Sequence, residues 1–306
     1  MGEIFLERGL SVELYDRMYP TALPGSPVAG DVAFYLAQAQ LVRNEPRSFG
    51  GRRNSETVGR GGRILEIAVG TGRVALPLLH AGFKVTGLDL SPYMLRVCRR
   101  KAEALGLDRN LTLVRANMTR FDLGKRFDLV LIPFRAFMHL LAPADQRACL
   151  NEVRRHLNPG GRFIVDIFDP LLELCSPKYK LGGGRPDEPR EDTYPDRATG
   201  TTGIVRYLSR KNDPLTQILR EVWEFELWDT RSGCPRSSAR RRNSDRGGPR
   251  GRLLRRDRQT VTLRWTYRWE MRYLLELAGL KPVACYGDFR AGPPRYGAEQ
   301  VWVARR

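Results

Sequence analysis

The sequence has few of the residues that build disulfide frameworks, metal centres or membrane spans. Its 306 residues include only five cysteines and three histidines. The cysteines are scattered and odd in number, without C-x-x-C spacing, and the histidines lack H-x-x-x-H spacing, so we expect reduced thiols and no metal site. No apolar run approaches the roughly 18 residues of a membrane span. The N-terminal segment lacks the apolar core of a secretory signal, so we expect a cytoplasmic protein without a membrane partner.

Acidic residues are scarce relative to basic ones. The chain has 52 lysine and arginine residues and 34 aspartate and glutamate residues, a net charge of +18. Half of this excess lies between Arg231 and Arg258, a segment with eleven arginines and two aspartates. Such a composition buries little apolar surface, so we predict that residues 231–258 are disordered. Because the excess is concentrated there, nucleic acid stays open as a partner but is not favoured.

The middle of the chain alternates strand patterns with helix patterns. Ser91 followed by Pro92 marks the start of one of these helices. The alternation predicts an α/β fold with a doubly wound, mostly parallel sheet. The predicted strands of this sheet are residues 63–69, 84–88, 111–115, 127–132 and 162–168.

The flanking segments have different patterns, and the chain divides into five predicted parts. Helical periodicity at the N-terminus, with Asp31 as a helix N-cap, predicts a helical cap. Residues 176–200 are rich in Pro and Gly and predict a loop, whereas β-branched and aromatic runs up to Trp269 predict antiparallel strands. The parts are a cap (1–43), a flexible linker (44–62), a Rossmann-like core (63–175), an antiparallel insertion or lid (176–269), and a final helix with closing strands (270–306).

One strand-to-helix turn carries the chemistry. Residues 65–73 have the sequence LEIAVGTGR, and the next strand ends at Asp89. Gly70 and Gly72 allow positive φ and close approach of a ligand, and the following helix offers free N–H groups. An acid where Asp89 stands can accept both ribose hydroxyls of an adenosine. The glycines alone also fit a dinucleotide, or a tight turn without a ligand. Glu66 at the strand end favours a cationic ligand over a pyrophosphate.

Several segments together resemble the class I S-adenosylmethionine-dependent methyltransferases over most of the chain. ILEIAVGTGRVALPLL is similar to their first motif, although Ala68-Val69 stands where Gly-Cys is commoner. VTGLDLSPYMLRVCRRKA is similar to the second, VRANMTRFDLGKRFDLVLIPFRAFMHLL to the third and fourth, and LNEVRRHLNPGGRFIVDIF to the fifth. The tail, LLELAGLKPVACYGDF and QVWVARR, is similar to the last helix and antiparallel strand. The resemblance implies a seven-stranded Rossmann-like sheet that binds S-adenosyl-L-methionine and needs no metal.

The resemblance also implies a role for each matching residue. Glu66 and the turn border the methionine part of the cofactor, and Asp89 binds the ribose. The N-terminal YDRMY is similar to a segment that closes over the cofactor, although aromatic packing explains its tyrosines equally well. The implied cofactor site comprises Tyr15, Tyr19, Glu66, Gly70, Thr71, Gly72, Asp89, Leu90, Asn117, Met118, Pro133 and Phe134.

No catalytic base is identified from the sequence. The candidates for a role near the reacting methyl group are His139, Arg135 and Tyr15. His139 follows the fourth strand within reach of the implied site, but a histidine packed at the start of a helix is the favoured interpretation.

The methyl acceptor is narrowed by the residues after the fourth strand. IPFR differs from the [DNS]-P-P-[YFW] of enzymes that methylate amino groups in nucleic acids, and no cysteine lies near it. The antiparallel insertion resembles the lid of small-molecule N- and O-methyltransferases, and the two observations together favour in-line methyl transfer to N or O of a small molecule. We expect a monomer or homodimer. Two alternatives stay open: an RNA or protein methyltransferase that uses the arginine-rich segment, and a cofactor-binding protein without catalysis.

Overall fold

The computed structural model describes residues 2–20, 29–45, 62–173, 190–231 and 251–306. Within these ranges the chain forms two β-sheets and six α-helices. In chain order they are β1 (Gly2–Glu3), α1 (Leu10–Met18), α2 (Asp31–Asn44), β2 (Arg63–Ile67), α3 (Ala75–His80), β3 (Lys84–Asp89), α4 (Pro92–Ala104), β4 (Leu111–Arg115), β5 (Phe127–Ile132), α5 (Pro143–His156), β6 (Leu157–Phe168), β7 (Arg190–Asp196), β8 (Thr201–Asp213), β9 (Ile218–Asp229), β10 (Arg252–Arg264), α6 (Arg268–Leu277), β11 (Lys281–Tyr286) and β12 (Glu299–Arg305).

The larger sheet has the strand order β11–β12–β6–β5–β2–β3–β4. Its strands are parallel except β12, which runs antiparallel to both β6 and β11. All six residues of β5 are buried, because helices cover both faces of a parallel sheet. The prediction of a doubly wound, mostly parallel seven-stranded sheet is confirmed. No helix among the described residues is long and apolar enough to cross a membrane.

The two N-terminal helices pack on different sheets. Leu10, Leu14 and Met18 of α1 pack against the five-stranded sheet, whose order is β1–β10–β9–β8–β7. Helix α2 packs against the larger sheet and buries Phe34 and Tyr35. The prediction of Asp31 as an N-cap is wrong. Gly30, with φ +88°, precedes the helix, and Asp31 is its first residue; its carboxylate instead forms an ion pair with a buried arginine of the core.

The five-stranded sheet is larger than the sequence predicted. Residues 190–196 form a strand where a loop was expected, and residues 252–258 belong to β10, so their predicted disorder is wrong. The strand pattern predicted up to Trp269 ends earlier, at Arg264. Helix α6 begins at Arg268, where the Glu270 side chain accepts a hydrogen bond from the Tyr267 N–H. Residues 46–61, 174–189 and 232–250, which hold most of the predicted linker and arginine-rich segment, lie outside the described residues. The boundaries of the five parts therefore stay predictions.

Arginines in β10 are stabilised by glutamates on the neighbouring strand. Glu226 has no exposed surface, accepts a hydrogen bond from Trp228 Nε1 at 2.8 Å, and forms ion pairs with Arg206 at 2.8 Å and Arg256 at 2.5 Å. Arg258 pairs in the same way with Glu224 at 2.7 Å. Partners about thirty residues apart in the chain thus turn a charged stretch into a strand, an arrangement that local composition does not reveal.

We expect Glu226→Ala to lower the free energy of unfolding by about 2 kcal/mol, because it removes three charge-assisted contacts from a buried carboxylate. Glu13→Ala is the matched control, since Glu13 pairs with Arg255 of the same strand but is exposed. That change should cost at most about 0.5 kcal/mol. Urea unfolding monitored by tryptophan fluorescence measures both. Equal losses of unfolding free energy in the two variants would contradict a stabilising role for the buried ion pairs of Glu226.

Candidate functional site

A cavity of about 450 Å³ opens at the carboxyl edge of the larger sheet. Its walls come from the turn after β2, the end of β3, the loops after β4 and β5, and the N-terminal residues Ile4 to Leu6. Strand β2 lies between β3 and β5, so the strand order reverses at this point. Open α/β sheets bind ligands in the crevice at such a reversal.

The glycine turn and Asp89 form one hydrogen-bonded unit. Gly70 has φ +55° and Gly72 has φ +85°, conformations that favour glycine. A Cβ on Gly72 would also lie 2.8 Å from Cys98 Sγ. The Gly70 N–H donates to Asp89 Oδ2 at 2.8 Å, and the Ser91 N–H donates to Asp89 Oδ1 at 2.8 Å. Burial raises the pKa of Asp89, whereas these backbone N–H groups act to lower it. The carboxylate therefore joins two strand ends while it lines the cavity.

Glu66 is a buried carboxyl group whose charge the described residues compensate only in part. It is 1% exposed, lines the cavity, and its Oε2 has no hydrogen-bond partner among the described residues. Burial raises its pKa well above the usual range, and the nearby Arg73 guanidinium only partly opposes that rise. Because buried polar atoms are normally hydrogen-bonded, an unpartnered carboxylate oxygen on a cavity wall indicates a site for a ligand that donates hydrogen bonds or carries positive charge.

Arg73 supplies a positive charge to the same cavity. Its guanidinium forms an ion pair with Asp31, at 2.9 Å from Nη1 and 2.7 Å from Nη2, and lies 5.1 Å from the centre of the Phe134 ring. The sequence analysis assigned no role in the site to Arg73 and named Asp31 only as a helix N-cap. The arginine stands next to the glycine turn, but its partner is 42 residues away in another helix. The cavity therefore offers both an acidic and a basic group, as a zwitterionic ligand requires.

Tyr15 of helix α1 and Tyr19, the residue after the helix, belong to an aromatic cluster beside the cavity. The Tyr15 hydroxyl lies 4.0 Å from the position that a Cβ on Gly70 would occupy. Its ring is 5.0 Å from that of Tyr19 and 6.2 Å from that of Phe134, measured between centroids. Burial raises the pKa of both tyrosines, so both hydroxyls are neutral. Tyr15 lines the cavity, whereas Tyr19 packs behind it, 4.6 Å from Phe134.

Most of the residues predicted for the site line this one cavity. They are Tyr15, Glu66, Gly70, Asp89, Leu90, Asn117, Met118, Pro133, Phe134 and His139.

Thr71, Gly72, Tyr19 and Arg135 do not line it. The Thr71 hydroxyl is turned away and donates to Asp16 Oδ1 at 2.6 Å, and the Arg135 guanidinium forms an ion pair with Glu299. Those two side chains fix neighbouring elements instead. The assignment of the lining residues to a cofactor stays a prediction.

His139 faces the cavity as a neutral imidazole. His139 is exposed and lines the cavity, and the protein packed around it desolvates the imidazole and lowers its pKa to about 4. Such a group can orient a hydrogen-bond donor but is a weak base at neutral pH. In the part of the chain that the structure describes, no group of three or more His, Cys, Asp or Glu side chains is arranged to hold a metal ion.

The segment that supplies most of the residues lining this cavity matches a known protein family. Residues 64–161 match the model of the methyltransferase domain family. The chain is 43% identical over 110 residues to the demethylmenaquinone methyltransferase of Thermus thermophilus, which covers 35% of this chain and 48% of that protein. It is 29% identical over 163 residues to the glycine/sarcosine N-methyltransferase of Halorhodospira halochloris, covering 51% of this chain and 58% of the relative. The chain spans about half the length of the curated relatives that it matches.

Solved structures resemble the whole fold. The CcbJ methyltransferase from Streptomyces caelestis has a TM-score of 0.65 and 24% identity, over 99% of this chain and 98% of that one. The sugar N-methyltransferase KedS8 from Streptoalloteichus has a TM-score of 0.63 and 19% identity, over 100% and 94%. These likenesses include both sheets, and with the domain match they confirm the resemblance to class I methyltransferases.

We expect Glu66→Gln to stabilise the chain by about 1–3 kcal/mol at neutral pH, because it removes a buried, unpaired acid. The pKa of Glu66 is raised in the folded state, so its contribution to stability is fully present below the unfolded pKa and is lost as pH rises through the folded pKa. The difference between the variant and the wild type should therefore grow with pH. Thermal unfolding from pH 4 to pH 8 measures it.

Asp145→Asn is the control for this prediction, because Asp145 lines the same cavity but is exposed. Its effect should stay within about 0.5 kcal/mol at every pH. The interpretation that the charge of Glu66 is poorly compensated would be contradicted by either of two results. One is a Glu66→Gln variant that is less stable than the wild type, and the other is a difference in stability that does not change with pH.

Proposed function

We propose that this protein transfers a methyl group from S-adenosylmethionine to N or O of a small molecule. The observation that carries the proposal is the unpartnered Glu66 carboxylate on the wall of a cavity that Asp89 also lines. A ligand that fits both must carry a positive charge beside the β2 turn and hydroxyl groups beside the end of β3. S-adenosylmethionine has an ammonium group and a ribose in one molecule. The methyltransferase domain over residues 64–161 supports the same ligand.

The residues of the cavity suit the parts of this cofactor. Glu66 would accept hydrogen bonds from the ammonium group, which would stabilise its ionised form. Arg73 would lie near the carboxylate of the methionine part, and Asp89 would accept hydrogen bonds from the ribose hydroxyls. Leu90 and Met118 offer apolar surface for the adenine. When bound, S-adenosylmethionine supplies a sulfonium methyl group that is already electrophilic.

The protein's task is then to align an acceptor and to exclude water. Beyond Phe134, the cavity wall is mainly apolar and includes Phe5, Leu140 and Leu141. With a lowered pKa of about 4, His139 is neutral at physiological pH and a weak base, so it would orient the acceptor and not remove a proton from it. A small acceptor with apolar surface and its own nucleophilic N or O fits these walls. The names of the relatives, which state demethylmenaquinone, glycine or sarcosine, and sugar, support small acceptors.

The described cysteines are consistent with a protein that works in a reducing compartment. Cys98, Cys149 and Cys285 are free thiols, which suits the cytoplasm. We propose a monomer or homodimer as the working form.

Methyl transfer from labelled S-adenosylmethionine to a panel of amines, hydroxyl compounds and carboxylates tests the proposal. We expect transfer to at least one acceptor, and Asp89→Ala should weaken cofactor binding about 10- to 100-fold, because a carboxylate that accepts hydrogen bonds from hydroxyls is worth about 1.5–3 kcal/mol. Asp108→Ala, at an exposed acid outside the cavity, is the control. Calorimetric binding without transfer to any acceptor would favour a cofactor-binding protein instead.

The net charge of +18 keeps an RNA or protein methyltransferase as a second candidate. The described end of the arginine-rich segment does not favour it. Arg255, Arg256 and Arg258 form ion pairs with Glu13, Glu226 and Glu224, so much of their charge is neutralised within the fold. The candidate therefore rests on residues 232–250, outside the described residues.

Replacing residues 233–249 with a short Gly-Ser linker separates the two candidates. Because this change leaves β9 and β10 intact, we expect kcat/KM for the small acceptor to stay within about twofold of the wild-type value. Filter binding to RNA over a range of salt concentrations gives the second measurement. Salt-sensitive RNA binding that the replacement abolishes would favour the RNA enzyme.

A further inference from the structure

We propose that Asp166 and Tyr35 form a clamp that holds the turn at Phe134 and Arg135 and so positions the Phe134 ring beside the reacting groups. Asp166 and Tyr35 are thus positioning residues for the reaction. The inference rests on the proposed function, because it concerns the loop nearest the transferred methyl group. Neither residue lines the cavity. Asp166 is 1% exposed at the end of β6, and Tyr35 is fully buried in α2.

The turn after β5 has an unfavourable backbone conformation. Phe134 has φ +58° and Arg135 has φ +59°, two successive non-glycine residues in the left-handed region. Such conformations persist only where the surrounding structure holds them, and they cluster at functional sites. Local sequence supplies no glycine or asparagine to relieve the strain, so a contact from elsewhere in the fold must hold this turn.

Asp166 provides that contact. Its Oδ1 accepts a hydrogen bond from the Phe134 N–H at 2.8 Å, and its Oδ2 accepts one from the Arg135 N–H at 2.9 Å. Both N–H groups therefore point at one carboxylate, which the left-handed turn makes geometrically available. Burial and the neighbouring Glu299 raise the pKa of Asp166 to about 6, so at neutral pH the group is ionised and accepts on both oxygens.

Tyr35 fixes the carboxylate in turn. Its hydroxyl donates a hydrogen bond to Asp166 Oδ1, and burial raises the pKa of Tyr35 well above the usual range, so the hydroxyl keeps its proton. Asp31 stands one turn earlier on the same helix and holds Arg73. One face of α2 thus contacts Arg73, which follows β2, and Asp166 of β6, which in turn holds the Phe134 N–H after β5.

The clamp matters for the reaction because of where the Phe134 ring lies. The ring lines the cavity and contacts Tyr15, Tyr19 and the Arg73 guanidinium. A shift of the turn would move this ring and the wall beside the proposed methyl group. Misplacement by about 1 Å can cost on the order of 100-fold in rate. Loss of the clamp should therefore lower kcat more than it weakens cofactor binding.

Two variants and one control test the clamp. In Asp166→Asn an amide NH₂ replaces one oxygen and faces a donor, so at least one hydrogen bond is lost. Tyr35→Phe removes only the hydroxyl and preserves the packing, so it tests the clamp even if the first variant fails to fold. Tyr207→Phe is the control, since it removes a tyrosine–aspartate hydrogen bond, 3.0 Å long to Asp192, at a residue that does not line the cavity.

Amide hydrogen exchange of a peptide that spans residues 132–138 and steady-state kinetics are measured together. We expect exchange of the Phe134 and Arg135 amides to accelerate at least about tenfold in Asp166→Asn and less in Tyr35→Phe. We expect kcat to fall about 10- to 100-fold in Asp166→Asn, with cofactor affinity within about threefold. Tyr207→Phe should change neither quantity.

Unchanged exchange in both clamp variants would overturn the proposal, and so would faster exchange with unchanged kcat. A fall in thermal stability alone, with kcat per folded molecule preserved, would make the contact merely structural and would also overturn it. The exchange measurement needs no substrate. If the wild-type chain transferred no methyl group, the proposed function would fail, whereas the exchange rates would still decide whether Asp166 holds the turn.

Discussion

The hydrogen bond between the Gly70 N–H and the Asp89 carboxylate holds the ends of β2 and β3 together, and the cavity forms around it. Gly70 donates this bond from a turn in which it takes a φ of +55°, a conformation that favours glycine. Asp89 has a second carboxylate oxygen held by the Ser91 N–H at the start of α4. One acid therefore fixes a turn, ends a strand and begins a helix, and it still lines the cavity.

The charges around this unit differ in how well they are compensated. Arg73 forms an ion pair with Asp31, whereas one oxygen of the Glu66 carboxyl group has no hydrogen-bond partner among the described residues. An uncompensated acid in a buried site lowers the stability of the free protein, and a cationic ligand would recover that energy on binding. The buried acids of the five-stranded sheet differ from Glu66 in this respect. Glu224 and Glu226 form ion pairs with arginines of β8 and β10, and we assign them a role in stability only.

The parts of the molecule that depend on local pattern could be predicted from the sequence. Strand and helix periodicity predicted the larger sheet, and the spacing from Gly70 to Asp89 placed both in one cavity. Contacts between distant residues could not be predicted. Asp31 meets Arg73 over 42 residues, and Asp166 meets Phe134 over 32 residues.

The same limit explains the wrong prediction for residues 252–258. Composition alone describes a disordered, charged stretch, but Glu224 and Glu226 on β9 supply its partners. Thr71 is a local example: the motif places it in the turn, yet its hydroxyl faces Asp16 of another helix. Motifs therefore located the cavity, whereas the packing of α1 and α2 decided which side chains reach it.

A crystal structure of the chain with S-adenosylmethionine bound tests the central claim most directly. The account predicts the ammonium group within hydrogen-bond distance of Glu66, the ribose hydroxyls on Asp89, and the methyl group directed toward the cavity wall at Phe134. A cofactor bound elsewhere, or bound in this cavity with Glu66 still unpartnered, would contradict it.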